Sequence, residues 1–372
     1  VSALPVLDLR GGPREVGRGH GEAAREAIAH NLDLYLERFG ADAGLGPADV
    51  RRRGALALAG IDALDPDYGQ TVRGIAEGSG RSPAEVAALN VRYEILYSAY
   101  TEEVLGARRP ATGADGCTAF AALPEATPDG HLRLGQNWDW LPGVAGVLLR
   151  VTRPDGFRVL AFTEAGIAGG KIGLNAAGVG LAINGLASDR DDWRRPGLPF
   201  HVRAWRALNA PTLAGAVAAV EGGERACAAN FLLAGADETG AALAVDVETA
   251  PGATCRLTPG DGVLVHANHF AGPVGETLRE TLEPTSTSFA RGARMAALLG
   301  ASRGRLDAAT LQTILADHEG YPGSICAHPD ATLPADETFV TAVSVVMDLT
   351  AGEMRVAAGN PCVTPFRRLT LA

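Results

Sequence analysis

The sequence predicts an α+β fold in which two sheets are sandwiched between helices, and three observations carry that prediction. Apolar residues recur at helical spacing as far as Tyr100; the period turns toward two at Cys117; from there strands, helices, strands, helices and strands follow in order. With 372 residues, 47% of them hydrophobic, the chain can bury a sizeable core.

The first helix is expected over Glu15 to Phe39, where Ala24, Ile28, Leu32, Tyr35, Leu36 and Phe39 fall on one face. A second follows around Ala48 to Leu64 and a third from Tyr68 to Ala76. The fourth has a clear start, with Ser82 as N-cap, Pro83 at the first helical position and Glu85 completing a capping box; it should run to about Tyr100. The stretch from Gly106 to Gly116 is small, polar and punctuated by Gly and Pro, the composition of an exposed loop.

Beyond Cys117, turn signals at Pro128-Asp129-Gly130, Pro154-Asp155-Gly156 and Asn175-Ala176-Ala177-Gly178 separate short apolar runs into hairpin strands. Helices are expected at His201 to Leu208 and Thr212 to Val220, then strands at Asn230 to Gly235, Ala241 to Val247 and Val263 to His266. Ser288 to Leu299 and Leu306 to His318 have helical patterns, and a last hairpin joins Phe339 to Leu349 with Glu353 to Ala357.

The net charge of −10 argues against nucleic acid or an anionic membrane as partner and leaves small molecules. Five cysteines, Cys117, Cys227, Cys255, Cys326 and Cys362, show neither a CxxC nor a ligand-like rhythm, so neither a disulfide framework nor a metal site is expected. No cofactor is expected. The odd cysteine count, the absence of a signal pattern in the first residues and the lack of a run of about 20 apolar residues suit a cytoplasmic protein. The oligomeric state is left open.

Cys117 stands where the composition breaks, after the loop and before an apolar run. If the Gly116–Cys117 bond breaks, one residue supplies both a thiol nucleophile and an α-amine; the amine's reference pKa near ~8 suits a general base at neutral pH. Asp139 lies one hairpin downstream between Trp138 and Trp140, and strand alternation puts it on the face opposite both rings, where it could orient the ammonium or thiol of Cys117. Asn184 and Asn268 end apolar strands, as amide donors for a developing oxyanion would. Arg291 and Arg294 share a helix face, and a fixed cation there would favour a thiolate. The remaining cysteines suggest packing alone. His266 and His269 offer a rival base in a papain-like scheme with an uncleaved chain, and a non-catalytic binding protein with Cys117 kept for packing is a further reading.

Six segments in order give the chain a family resemblance: Leu89-Asn90-Val91-Arg92-Tyr93-Glu94, Asp115-Gly116-Cys117-Thr118, Gly135-Gln136-Asn137-Trp138-Asp139-Trp140, Lys171-Ile172-Gly173-Leu174-Asn175 through Asn184, His266-Ala267-Asn268-His269-Phe270 and Gly320-Tyr321-Pro322-Gly323-Ser324-Ile325-Cys326. Through them it resembles the cysteine N-terminal-nucleophile (Ntn) hydrolases of the acyl-coenzyme A:6-aminopenicillanic acid acyltransferase (isopenicillin N acyltransferase) family, peptidase family C45. The resemblance implies an αββα four-layer sandwich and a precursor that cuts itself between Gly116 and Cys117. A helical pro-segment, residues 1–116, would become an α chain and remain associated with the catalytic β chain, residues 117–372. By similarity to choloylglycine hydrolases, Asp139 would hold the α-amine, Asn184 and Asn268 would serve substrate and oxyanion, and Arg291 would lie near the nucleophile. Gln136 and Asn175 would face substrate, Gln136 at a position where the bile-salt enzymes usually carry arginine. Ala119 stands where the penicillin enzyme has a hydroxyl residue. The implied activity is therefore a thioester-forming amidohydrolase or acyltransferase acting on a small N-acyl or peptide-like amide, with acyl-CoA-dependent acyl transfer of the penicillin-biosynthesis type as the alternative.

Overall fold

The computed structural model describes residues 3–105, 116–278, 287–334 and 338–371. Asp115 and most of the Gly106 to Gly116 stretch lie outside these residues.

The chain opens with strand β1 (Val6–Arg10), then helices α1 (Pro13–Ala23), α2 (Arg25–Ala43), α3 (Pro47–Leu64), α4 (Pro66–Ser79), α5 (Pro83–Asn90) and α6 (Arg92–Leu105). The capping box at Ser82 is present, with Glu85 N–H donating to Ser82 Oγ at 3.2 Å and Ser82 N–H to Glu85 Oε2 at 3.1 Å. Two expected helices are broken. The one over Glu15 to Phe39 divides at Ala24, and the one begun at Pro83 divides at Val91; both junction residues leave helical geometry. The pieces pack on different neighbours. Helix α1 lies close against α4, where a methyl group added at Gly17 would come within 2.1 Å of the Thr71 carbonyl oxygen and one at Gly74 within 2.3 Å of that of Arg14. Only glycine permits that approach.

Strand β1 corrects the picture of a purely helical leader. Its five residues alternate Leu7 and Leu9 inward with Asp8 and Arg10 outward, a pattern too short to stand out from the sequence. It pairs in parallel with β4 at one edge of an eight-stranded sheet.

After Cys117 come β2 (Thr118–Ala122), β3 (Arg133–Trp140), β4 (Gly146–Thr152), β5 (Arg158–Glu164), β6 (Ile172–Asn175) and β7 (Gly180–Gly185). Helices α7 (Phe200–Leu208) and α8 (Leu213–Glu221) precede β8 (Ala229–Ala236), β9 (Ala242–Ala250), β10 (Ala253–Leu257) and β11 (Val263–His266). A short α9 (Val274–Thr277), α10 (Thr287–Ala301) and α11 (Ala308–Leu315) lead to β12 (Val340–Asp348), β13 (Glu353–Ala357) and β14 (Arg367–Thr370). The two short edge strands β10 and β14 were not foreseen from the sequence.

One sheet has the order β1-β4-β5-β6-β7-β8-β9-β10 and the other β11-β2-β3-β12-β13-β14. They face each other through β2, β3, β7 and β8; α7 and α8 pack on the outer side of the first, α10 and α11 on the second. The result is the expected αββα layering. Between the sheets Ala119, Ala121, Leu134, Trp138, Ala182 and Leu232 join a core that continues into the leader helices. Phe120, Ala122 and Val346 point the other way, onto Met295, Leu299, Leu311 and Leu315. Among the described residues, no helix is long and apolar enough to cross a membrane.

Candidate active site

Strand β2 begins immediately after Cys117, at the junction of the two sheets. Thr118 pairs with Asn137 and Ala119 with Gln136, so Thr118 faces α10 while alternation turns Cys117 and Ala119 inward. The Cys117 side chain is fully buried.

Asp139, also fully buried, lies on the Thr118 face of β3, opposite the stacked rings of Trp138 and Trp140, as alternation predicts. Its Oδ1 accepts from Thr341 Oγ1 at 2.6 Å. Thr341 is fixed in turn by the Ala327 N–H at 2.9 Å. The other side of the carboxylate meets Gly116: a methyl group built on Gly116 would lie 2.7 Å from Asp139 Oδ2. Asp139 thus lies beside the Gly116–Cys117 junction.

Two more of the expected residues converge on the Cys117 carbonyl. Arg291, on α10, donates from Nη1 to the Cys117 oxygen at 2.8 Å and to Thr118 Oγ1 at 2.7 Å; its Nη2 donates to Asn268 Oδ1 at 3.0 Å. Asn184 Nδ2 reaches the same Cys117 oxygen at 3.2 Å and the His266 carbonyl at 3.4 Å. The Asn184 amide is oriented by Asn230 Nδ2, 3.2 Å from Asn184 Oδ1, and Asn230 also donates to Asp246 at 2.6 Å. Asn268 is oriented through its own N–H, given to Ser288 Oγ at 2.7 Å, and its Nδ2 donates to the Gly185 carbonyl at 3.1 Å.

Gln136 and Asn175 are placed differently from the expectation that they face substrate. Gln136 spans the gap between the sheets, accepting from the Ile183 N–H at 2.9 Å and donating to the Ile183 carbonyl. Asn175 uses its amide on the Leu208 and Ala210 carbonyls and on the Ala177 and Val179 N–H groups. Both are buried structural ties. Arg294 pairs with Asp317 and Glu319, away from Cys117. His266 turns its ring to Glu248 at 2.9 Å, and His269 Nδ1 lies 2.8 Å from Ser288 Oγ.

Sequence reasoning gave no role to Lys171, which is fully buried on the inner side of the site. Its ammonium lies 3.5 Å from the Trp138 ring centroid and pairs with Glu164, which also takes a two-pronged contact from Arg92 and the Tyr35 hydroxyl. Burial pushes Lys171 below the ordinary lysine range, while Glu164 and the nearby Cys117 pull it back up. Although burial opposes it, the charges of Arg92 and Lys171 hold the Glu164 carboxyl well below the usual carboxylate range. Tyr35 and Arg92 belong to the leader, Glu164 and Lys171 to the portion after Cys117. The signal for this cluster was a lone lysine in a glycine-rich stretch, Gly169-Gly170-Lys171-Ile172-Gly173.

Such a constellation can deliver a thiol to a carbonyl, hold a liberated amine against a carboxylate and offer amide and guanidinium donors to a developing oxyanion.

Residues 126–362 match the family model described as acyl-coenzyme A:6-aminopenicillanic acid acyl-transferase. The chain is similar to the 40 kDa form of acyl-coenzyme A:6-aminopenicillanic-acid-acyltransferase of Emericella nidulans, at 29% identity over 359 residues, covering 95% of this chain and 92% of that one. Among solved structures it is similar to a variant of the conjugated bile acid hydrolase of Clostridium perfringens (14% identity, 68% of this chain and 96% of that one, TM-score 0.46). It is also similar to penicillin V acylase of Agrobacterium tumefaciens (14% identity, 68% and 86%, TM-score 0.46). An N-acylethanolamine-hydrolyzing acid amidase ortholog of Caenorhabditis elegans shows 17% identity, with 63% and 93% covered and a TM-score of 0.43.

Proposed function

Because the chain belongs to the acyl-coenzyme A:6-aminopenicillanic acid acyl-transferase family, we propose that it is a self-processing enzyme of the acyltransferase and amidohydrolase kind whose nucleophile is Cys117. The observation that carries the proposal is the grip of Arg291 and Asn184 on the Cys117 carbonyl while Gly116 rests against the Asp139 carboxylate.

In maturation, the Cys117 sulfur gives up its proton and attacks the Gly116 carbonyl carbon. The Gly116–Cys117 C–N bond breaks, the nitrogen takes up a proton to become a free α-amine, and Gly116 is left as a thioester on the sulfur. Water then hydrolyses the thioester to a Gly116 carboxylate and a free thiol. In turnover the same sulfur attacks the carbonyl of a small N-acyl or peptide-like amide. The α-amine, oriented by Asp139, accepts the thiol proton and returns it to the departing amine; Asn184 and Asn268 donate to the tetrahedral oxyanion, and Arg291 fixes the backbone of the nucleophile. Water releases the acyl group as an acid. The name of the Emericella relative supports a second reading, in which an acyl thioester loads Cys117 and an amine is the acceptor.

Intact-mass analysis of the purified protein and of Cys117→Ala tests the proposal. Two fragments split before Cys117 in the parent, and a single chain in the variant, are expected. Incubation with N-acyl amines and acyl thioesters should then leave an acyl adduct on the Cys117 sulfur, and competition between water and added amines separates the two readings. A parent that stays whole yet turns substrate over, or a Cys117→Ala protein as active as the parent, overturns it.

A further inference from the structure

Two of the four cysteines read as packing residues, Cys326 and Cys362, lie against histidine side chains. Beyond α11, the loop carrying His318, Cys326 and His328 meets Cys362, which lies between β13 and β14. His318 Nε2 lies 3.1 Å from His328 Nε2, and the sulfurs of Cys326 and Cys362 each lie 3.5 Å from that same His328 nitrogen. The two sulfurs are 3.6 Å apart, and all four donor atoms fall within 4.8 Å of one another.

Hydrogen bonding does not account for this convergence. The Nε2 of a neutral imidazole offers one proton or one lone pair, whereas three donor atoms crowd around that of His328. A tetrahedral ion accounts for all of it. With zinc–sulfur distances of about 2.3 Å and zinc–nitrogen distances of about 2.05 Å, the edges of an S2N2 tetrahedron are about 3.8 Å between sulfurs, about 3.6 Å between sulfur and nitrogen and about 3.3 Å between nitrogens. The four individual separations given above each lie within about 0.2 Å of the ideal edge, and the two from His318 to the sulfurs fall within 4.8 Å.

We propose that His318, Cys326, His328 and Cys362 form a structural zinc site. Two thiolates neutralise the dication, two imidazoles complete the shell, and no position is left for a substrate or a catalytic water. Supporting contacts surround the ligands. Asn360 Nδ2 lies 3.5 Å from Cys326 Sγ and donates to the Ala327 carbonyl at 2.6 Å; the Cys326 N–H donates to the Asp317 carbonyl at 3.0 Å and the His328 N–H to that of Pro322 at 3.0 Å. Contacts of this kind aim metal ligands. Binding releases the two thiol protons and ties the loop after α11 to the C-terminal segment. That loop also supplies the Ile325 carbonyl, which together with the Leu315 carbonyl at the end of α11 holds Asn137 Nδ2, each at 2.8 Å, and the Ala327 N–H that holds Thr341. The spacing hid the site: Cys326 and His328 form a short C-x-H pair, but Cys362 lies far along the chain and His318 on the other side.

The test is elemental analysis of the full-length protein expressed with added zinc, purified without chelator and passed through a desalting column. About one zinc per chain is expected, falling below about a tenth in Cys362→Ser and in His318→Ala. Because His318 is exposed and Cys362 only partly buried, the variants should still fold, which circular dichroism checks. Cobalt added to chelator-treated parent protein should give tetrahedral d–d bands in the red and a sulfur-to-cobalt charge-transfer band, and the parent's melting temperature should drop on chelation. Parent protein with neither zinc nor a cobalt spectrum overturns the assignment. So does peptide mapping that finds a Cys326–Cys362 disulfide, or variants that hold as much zinc as the parent. None of these readouts depends on whether Cys117 cuts the chain.

Discussion

The α-carbon of Gly116 lies against the carboxylate of Asp139, so closely that a methyl group there would sit 2.7 Å from Oδ2. The residue whose carbonyl is proposed to be attacked thus packs directly on the group proposed to receive the liberated amine. Gly116→Ala must displace one or the other. Misplacement by about 1 Å can cost about a hundredfold in rate, so we predict that Gly116→Ala slows self-cleavage by at least about tenfold. A time course of fragment appearance after synthesis measures this, and parental cleavage kinetics would count against Asp139 acting at the junction.

Asn268, proposed as an oxyanion donor, is held in orientation by Ser288 and Arg291. We predict that Asn268→Ala lowers kcat by about 100- to 1,000-fold, the usual loss for one such donor, with little change in KM. Steady-state kinetics on whichever N-acyl amide first gives turnover decides it; a loss confined to KM would assign the amide to ground-state binding.

Lys171 and Cys117 are close enough for each to bias the other's ionisation. A nearby cation favours thiolate, so Lys171→Met should raise the apparent pKa of the Cys117 thiol and move the acid limb of its alkylation profile to higher pH. Iodoacetamide labelling of the matured protein across pH reads this directly. An unshifted limb would confine Lys171 to pairing with Glu164.

Glu94 is buried on α6 and accepts from the Phe200 N–H at 2.6 Å. Burial raises its pKa to about 7, despite that hydrogen bond and the charges of Arg92 and Arg203. The folded protein therefore holds a proton that the unfolded chain releases near its ordinary value, and the associated stability is full below about 4.5 and lost as pH rises to about 7. At 1.36 kcal/mol per unit the loss amounts to about 3 kcal/mol. Glu94→Gln should lack this slope, so its stability relative to the parent should rise through that window and level off above it. Urea denaturation at stepped pH provides the measurement, and a pH-independent difference would refute it.

Much of the layering was legible because patterning changes period where the architecture changes. The turn at Asp129-Gly130, the alternation of Trp138, Asp139 and Trp140 and the capping box at Ser82 are local signals, and each produces the expected geometry. That Asn184, Asn268 and Arg291 gather near Cys117 is what the family resemblance implies; by itself, an amide ending an apolar strand or an arginine on a helix face says only that it needs partners. Gln136 and Asn175 show the limit of that reasoning. A buried amide can be satisfied by backbone as readily as by substrate, and the sequence does not distinguish the two. Asn230, Thr341 and the cluster of Tyr35, Arg92, Glu164 and Lys171 were missed for another reason: their partners lie far along the chain, and only the folded sheets bring them together.

Strand β1 gives the proposed cut an unusual outcome. Once the backbone is severed at Cys117, the short piece still occupies an edge lane of the larger piece's sheet and still plugs Tyr35 and Arg92 into Glu164. Prising them apart would bare a row of amide and carbonyl groups and leave Glu164 with Lys171 alone among its present partners in a greasy interior. The mature enzyme should accordingly travel as an inseparable heterodimer: an affinity tag on either fragment ought to recover both, and the larger fragment made by itself ought to precipitate.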